Sequence, residues 1–93
     1  MSPERYALSS DAVLQVTGDE GLLVNLSAED LFALNDTGVA IVRRVADGID
    51  VDTVIAELVQ LYRADARAVT DDVRALVREL VGRGLLVPAG GGR

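Results

Sequence analysis

The first third of the chain alternates apolar and polar residues as β-strands do. The segment AVLQVT, residues 12–17, places Leu14 and Val16 on one face and the residues between them on the other. Turn-forming segments separate it from two further apolar segments. The pattern predicts three strands, at about 12–17, 22–26 and 30–34, which connect most simply as an antiparallel meander. Three residues of the second strand share the face that we expect to point inward: Leu22, Val24 and Leu26.

The third predicted strand is apolar on both faces, although a strand half-exposed on a small domain usually alternates. Phe32 and Leu34 are in phase and are expected to face the core, which leaves Leu31 and Ala33 on the opposite face. Two interpretations remain open. The domain's own helices and tail bury all four residues, as is usual for apolar runs, or the strand is a sheet edge that pairs with another chain.

After residue 34 the apolar residues recur at the three- and four-residue steps of helices. Helices are predicted at about 36–47, 51–63 and 66–82. Three polar residues are placed to cap them: Asn35, Asp50 and Asp65. The parts make a small α+β domain, a three-stranded antiparallel sheet followed by three helices in a winged helix-turn-helix-like arrangement.

The boundaries of this domain follow from the same pattern. We expect residues 1–11 to be a flexible lead-in, residues 12–87 to be folded, and residues 88–93 to be a disordered tail. The 93 residues, 49% of them hydrophobic, are enough for one domain with a single modest core.

Composition excludes much familiar chemistry. Without Cys or His the chain has no thiol nucleophile, imidazole base or zinc site built from those ligands. Paired acids such as Asp71-Asp72 and Glu29-Asp30 are interpreted as solvated charges, since adjacent helical residues diverge by about 100°. We therefore expect no catalytic residue, no metal site and no cofactor.

Charge and hydropathy limit the partners as well. The net charge of −6 repels nucleic acid and anionic lipid surfaces. No apolar run approaches the roughly 20 residues that span a bilayer, and the sequence shows no signal-peptide pattern at its start. We expect a cytoplasmic protein with no membrane and no nucleic-acid partner.

The third predicted helix carries a polar stripe opposite its buried face. Arg67, Asp71, Arg74 and Arg78 fall on it. Three interpretations remain open: a solvated face with exposed ion pairs, a peptide contact, or a DNA-reading helix. Because acids interrupt the stripe, the solvated face is favoured over peptide contact, and DNA reading is the least favoured.

Three segments together resemble one known family. LFALNDTGVAIVRRVADG, VIAELVQLY and DVRALVRELVGRGLL follow, in order and spacing, the pattern of the PQQ-biosynthesis D protein and the precursor-peptide recognition elements of ribosomally synthesised, modified peptides (RiPPs). The resemblance covers roughly residues 12–87. It implies a winged-helix fold and a small non-catalytic module that holds the leader segment of a precursor peptide for modifying or cleaving enzymes.

The resemblance also implies where the leader binds. In that family the leader adds as an extra strand beside the third strand, in a cleft whose other wall is chiefly the third helix. Carried over, the docking edge is formed by Glu29, Asp30, Leu31, Phe32, Ala33 and Leu34. On the third helix we expect the apolar flank to line the cleft, with these residues: Thr70, Val73, Arg74, Val77 and Val81.

Within the family, VLQVTGDEGLLVNL followed by FALN is similar to the stand-alone modules of lasso-peptide clusters. The segment SAED lacks the proline of the Pro-Glu pair that normally precedes the third strand in the PQQ-type pattern. The lasso resemblance implies an extended leader with an aromatic or proline anchor.

The expected function is therefore leader-peptide binding by β-strand addition and delivery to a processing protease, a cyclase or another modifying enzyme. The chain is expected to be a monomer or a weak strand-mediated dimer. Two alternatives remain open: a winged-helix DNA-binding regulator, and a structural subunit of an enzyme complex.

Overall fold

A computed structural model of the protein describes residues 4–89. In chain order the elements are β1 (Tyr6–Leu8), β2 (Ala12–Thr17), β3 (Glu20–Asn25), β4 (Asp30–Leu34), α1 (Asp36–Ala46), α2 (Val51–Tyr62), α3 (Ala66–Gly82) and β5 (Leu86–Pro88).

The predicted α+β architecture is confirmed. Strands β2, β3 and β4 form an antiparallel sheet in chain order, so β3 is central and β4 lies at an edge. Three helices follow, and each begins at the predicted residue. In β3 and β4 the register pairs Gly21 with Leu34 and Asn25 with Asp30. The inner face of the sheet carries the cross-strand row Leu14, Leu23 and Phe32.

The second predicted strand has the opposite phase from the one expected. Leu23 is fully buried and Asn25 is 6% exposed, whereas Leu26 is 64% exposed. The prediction took the polar Asn25 as an outward residue. Its side-chain oxygen instead accepts three hydrogen bonds from the following turn, so the residue is buried without an unpaired carbonyl.

A second, two-stranded sheet changes the expected domain boundaries. Strand β1 pairs antiparallel with β5, so residues 6–8 belong to the fold and not to a flexible lead-in, and Pro88 belongs to a strand and not to a tail. Leu85 and Leu86 are buried in the core and hold β5 in place. The expectations for residues 1–3 and 90–93 lie outside the described residues.

The helix caps form as the sequence predicts. Asn35 Oδ1 accepts from Gly38 N at 2.8 Å. At the start of α2 the Asp50 carboxylate accepts from Thr53 N, and at the start of α3 the Asp65 carboxylate accepts from Ala68 N, each at 3.1 Å. These bonds satisfy amides that a helix start leaves without partners.

The helices cover the inner face of the sheet and close a single core. The largest fully buried side chains are Leu23, Leu58, Leu80, Leu85 and Leu86. None of the helices between residues 4 and 89 combines the length and apolar character needed to cross a membrane.

Candidate functional site

The outer edge of β4 borders an open groove. Among residues 4–89 no strand pairs with this edge, and α3 and the start of α1 form the facing walls. The groove has a volume of about 630 Å³. Its lining residues are Phe32, Ala33, Leu34, Asn35, Thr37, Gly38, Ile41, Asp72, Ala75 and Leu76. Backbone groups at a sheet edge are free to pair with another extended chain.

The entrance to β4 is set by the turn that precedes it. Asn25 Oδ1 accepts from Ser27 N and Ala28 N, both at 3.2 Å, and from Ser27 Oγ at 3.0 Å. Glu29 then adopts a positive φ of 55°, a conformation that non-glycine residues rarely take. The Asn25 bonds hold the turn so that β4 begins at Asp30, opposite Asn25.

The other end of the groove depends on a glycine. A Cβ on Gly38 would lie 3.0 Å from Leu34 Cδ2 and 3.3 Å from Asn35 Oδ1. Because glycine has no Cβ, the first turn of α1 can approach the end of β4 closely while Asn35 caps the helix. The groove therefore has a helical wall immediately after the edge strand.

A salt bridge connects the start of β4 to the end of α3, beside the groove. Arg83 Nη1 lies 3.0 Å from Asp30 Oδ2, and Arg83 Nε lies 2.8 Å from Glu79 Oε2. The guanidinium carbon is 4.9 Å from the centroid of the Phe32 ring. Hydrogen bonds to Glu79 and then Asp30 raise the pKa of Arg83, so the cation is retained. Arg83 thus joins the edge strand to the end of α3.

Sequence reasoning did not identify Arg83 or the flank of α3 that lines the groove. The i,i+4 spacing of Glu79 and Arg83 was an available signal for the ion pair. The flank that lines the groove carries Asp72, Ala75 and Leu76. Their mixed polarity made this flank look like an ordinary solvated surface.

The strand residues of the predicted site do lie together at the edge. Leu34 is 5% exposed and Phe32 packs against the core, as expected from their shared phase. Leu31 is 60% exposed on the opposite face, together with the exposed Ala33. Glu29 lies in the exposed turn.

The predicted helix flank does not meet the edge strand. Val73 and Val77 are buried in the core, and Thr70 Oγ1 donates to its own helix at Ala66 O, 2.7 Å away. Val77 and Val81 line a different cavity of about 200 Å³, which Tyr6 also lines. The expectation failed because it treated residues 1–11 as flexible, whereas the start of the folded chain covers this flank.

Arg74, which was also predicted to line the cleft, lies away from the groove. Its guanidinium lies 2.8 Å from Glu4 Oε1 and 2.8 Å from Asp52 Oδ1, and it forms no ion pair with Asp71. Tyr6 Oη donates to Glu4 Oε2 at 2.6 Å. The Tyr6 bond, followed by the Arg74 bond, lowers the pKa of Glu4, and the bond to Glu4 raises the pKa of Tyr6. Arg74 therefore anchors the start of the described chain and does not reach the groove.

The outer face of the three-stranded sheet carries an uncovered apolar row. Val13, Val24 and Leu31 are aligned across β2, β3 and β4, and Leu26 lies on the same face. Val13 is 39% exposed and Leu26 is 64% exposed. The helices pack on the opposite face, so Leu31 and Ala33 of β4 remain accessible on this one. Within residues 4–89 no three His, Cys, Asp or Glu residues are grouped to hold a metal ion.

Comparison with known proteins supports the fold. The family model described as coenzyme PQQ synthesis protein D (PqqD) matches residues 20–86. No curated protein matches the chain.

Two solved structures share the fold. Lasso peptide synthetase B1, complexed with the leader peptide, aligns with a TM-score of 0.81 at 26% identity, over 90% of this chain and 99% of that chain. TbiB1 in complex with the TbiA(beta) leader peptide aligns with a TM-score of 0.79 at 23% identity, over 94% and 99% of the two chains.

Proposed function

Because the chain belongs to the PqqD family, we propose that it is a non-catalytic module that binds the leader segment of a ribosomally synthesised precursor peptide. The leader adds as a strand to β4, and the module delivers the precursor to processing enzymes. The observation that carries this proposal is the unpaired edge of β4 facing the groove beneath α3. The 26% identical structural relative is itself complexed with a leader peptide.

Strand addition explains both affinity and selectivity. Main-chain hydrogen bonds to the β4 edge supply affinity without regard to sequence, and pockets on alternate residues supply preference. Side chains of the added strand that share a face with Phe32 and Leu34 point toward Ala75 and Leu76 of α3. These alternate residues of the leader are expected to be apolar or small where they meet α3.

The remaining side chains of the leader would extend the outer sheet face. They share a face with Leu31 and Ala33 and continue the row that starts at Val13. We propose that the processing protease or modifying enzyme contacts this combined surface of sheet and leader. An exposed apolar patch of this kind is typical of protein interaction sites.

The two alternative functions lack such support. A DNA-binding regulator needs a basic face, but the net charge is −6 and the Arg74 guanidinium is engaged by two carboxylates. A purely structural subunit would bind its enzyme partner but no leader, whereas the 26% identical relative is complexed with a leader peptide. Since precursor peptides are made on ribosomes, the proposed site of action is the cytoplasm.

The test is titration of ¹⁵N-labelled protein with the synthetic leader of its organism's candidate precursor. We expect amide shifts at residues 30–34 and at Asp72, Ala75 and Leu76. Ala75→Trp fills the groove from an exposed position on α3 and should weaken binding by about tenfold or more, which corresponds to about 1.4 kcal/mol.

The matched control is Ala68→Trp, which places the same side chain at an exposed residue of α3 outside the groove. It should leave the affinity unchanged. Equal affinity of Ala75→Trp and wild type, with both folded, contradicts the proposal. So would shifts that appear only with DNA and fall away steeply as salt is raised.

A further inference from the structure

A narrow apolar pocket adjoins the groove beside the start of α1. It has a volume of about 190 Å³ and lies among α1, α2 and α3. Thr37, Ile41 and Asp72 line both the pocket and the groove, so the two spaces are adjacent. The walls of the pocket are formed by Ile41, Leu58, Val69 and Val73. The shared residues place the pocket next to the groove that a peptide along β4 would occupy.

The pocket has an apolar interior and a polar, aromatic rim. Asp72 is exposed at the point where pocket and groove join, and Tyr62 also lines the pocket, 47% exposed. No ion pair within residues 4–89 involves Asp72. By contrast, Asp30 and Glu79, which lie beside the groove and do not line it, are both paired with Arg83. The carboxylate of Asp72 is therefore the acid of the groove left without a cation from the described chain.

We infer that this pocket receives a lysine or arginine side chain of the bound peptide; the inference rests on the proposed function. The apolar stem of such a side chain packs against the walls while its charged end stays at the rim, as long basic side chains commonly do. There the cation pairs with the Asp72 carboxylate and lies near the electron-rich ring of Tyr62.

A purely apolar side chain would fit the walls less well in electrostatic terms. It would fill the apolar walls but leave the exposed Asp72 carboxylate without a cation, so it would gain nothing from that charge. The net charge of −6 acts in the same direction, since it attracts basic peptides over a longer range. The preferred leader therefore carries one basic residue in phase with the side chains that face α3.

The experiment is selection from a displayed library of random 15-residue peptides on three versions of the full chain: wild type, Asp72→Asn and Asp71→Asn. Asp71 is the matched control, because it is adjacent, exposed and lines neither the groove nor the pocket. Wild type and Asp71→Asn should enrich Lys or Arg at one peptide position. Asp72→Asn should lose that enrichment.

The affinities of one selected peptide for wild type and Asp72→Asn then measure the contact between its basic residue and Asp72. Replacing its basic residue by norleucine, which keeps the apolar stem, should weaken binding to wild type by about threefold to tenfold. The same replacement should have no further effect on Asp72→Asn, as expected for one shared interaction in a double-mutant cycle. Asp72→Arg should shift the selected residue to Glu or Asp.

The outcomes separate this inference from the function on which it rests. Suppose that Ala75→Trp weakens binding of the selected peptides, as the proposed function requires. If these peptides show no preference for a basic residue, or keep that preference on Asp72→Asn, the inference is wrong and the proposed function stands. Enrichment of an aromatic or aliphatic residue at that position overturns it as well. If Ala75→Trp binds every selected peptide as tightly as wild type does, both proposals fail.

Discussion

The turn before the edge strand provides a quantitative test, because a single buried oxygen holds it. Asn25→Ala removes an acceptor that receives three hydrogen bonds, from Ser27 N, Ser27 Oγ and Ala28 N. Each bond contributes about 1 kcal/mol net, and because Ser27 and Ala28 are exposed, water can replace part of what is lost. We expect the free energy of unfolding to fall by about 2–3 kcal/mol.

That loss is large but should not unfold the protein. Domains of this size are typically stable by about 5–15 kcal/mol, so Asn25→Ala should remain folded at room temperature. Each kcal/mol lowers the melting temperature of a domain of 60–100 residues by about 4–8 °C, which predicts a decrease of about 8–24 °C. Urea unfolding followed by circular dichroism measures the free-energy change directly, with the slope m unchanged.

A graded control isolates the role of the carbonyl. Ser27→Ala removes only the hydroxyl donor at 3.0 Å and leaves both amide bonds, so it should cost about 1 kcal/mol or less. The reasoning is refuted if Asn25→Ala lies within about 0.5 kcal/mol of wild type, or if Ser27→Ala costs as much as Asn25→Ala. Either result means that the turn does not depend on the Asn25 oxygen.

Two further predictions concern the start of the chain and the outer sheet face. Tyr6→Phe removes the main cause of the lowered Glu4 pKa, so NMR titration of the Glu4 carboxyl should give a value closer to 4.5. The lowered pKa of Glu4 stabilises the fold above pH 4.5, and this stabilisation is lost as the pH falls through the pKa of the folded state. Tyr6→Phe should therefore lose less stability than wild type on acidification. An unchanged Glu4 pKa in Tyr6→Phe contradicts this prediction. Val13→Lys should weaken binding of the processing enzyme several-fold, by about 1 kcal/mol, with leader affinity unchanged. Thr17→Lys, exposed on the same face beyond the apolar row, is the control, and equal enzyme binding by both variants removes this face from the interface.

The meander and the three helices were predictable because each has a strong local signal. Apolar spacing identified the strands and helices, and side-chain oxygens at 35, 50 and 65 identified the helix starts. The phase of the central strand was not predictable from this pattern. Asn25 is polar and buried, and only the hydrogen bonds of the folded turn explain why it faces inward.

Of the two walls of the candidate site, only the strand wall was predictable from the sequence. The edge strand follows from meander topology, but the facing wall depends on how α3 is rotated about its axis. The buried residues Val73, Val77 and Leu80 set that rotation, but which flank stays open depends on contacts remote in sequence, since Glu4 and Tyr6 lie against the other flank. Three-residue strands carry too little alternation to be recognised, so the flank of α3 that they help to cover was taken for the binding flank.

The β1–β5 ribbon also determines how this protein can be rebuilt. Ala89 N donates to Arg5 O at 3.0 Å, so the first and last described residues lie side by side. Neither strand of the ribbon belongs to the sheet whose edge borders the groove. A short linker across the ribbon, with a new opening beside the exposed Asp47 between α1 and α2, outside the groove and its pocket, should therefore yield a circular permutant. In that molecule a fused enzyme would be attached at the helical side, while the β4 edge stays free for an incoming strand.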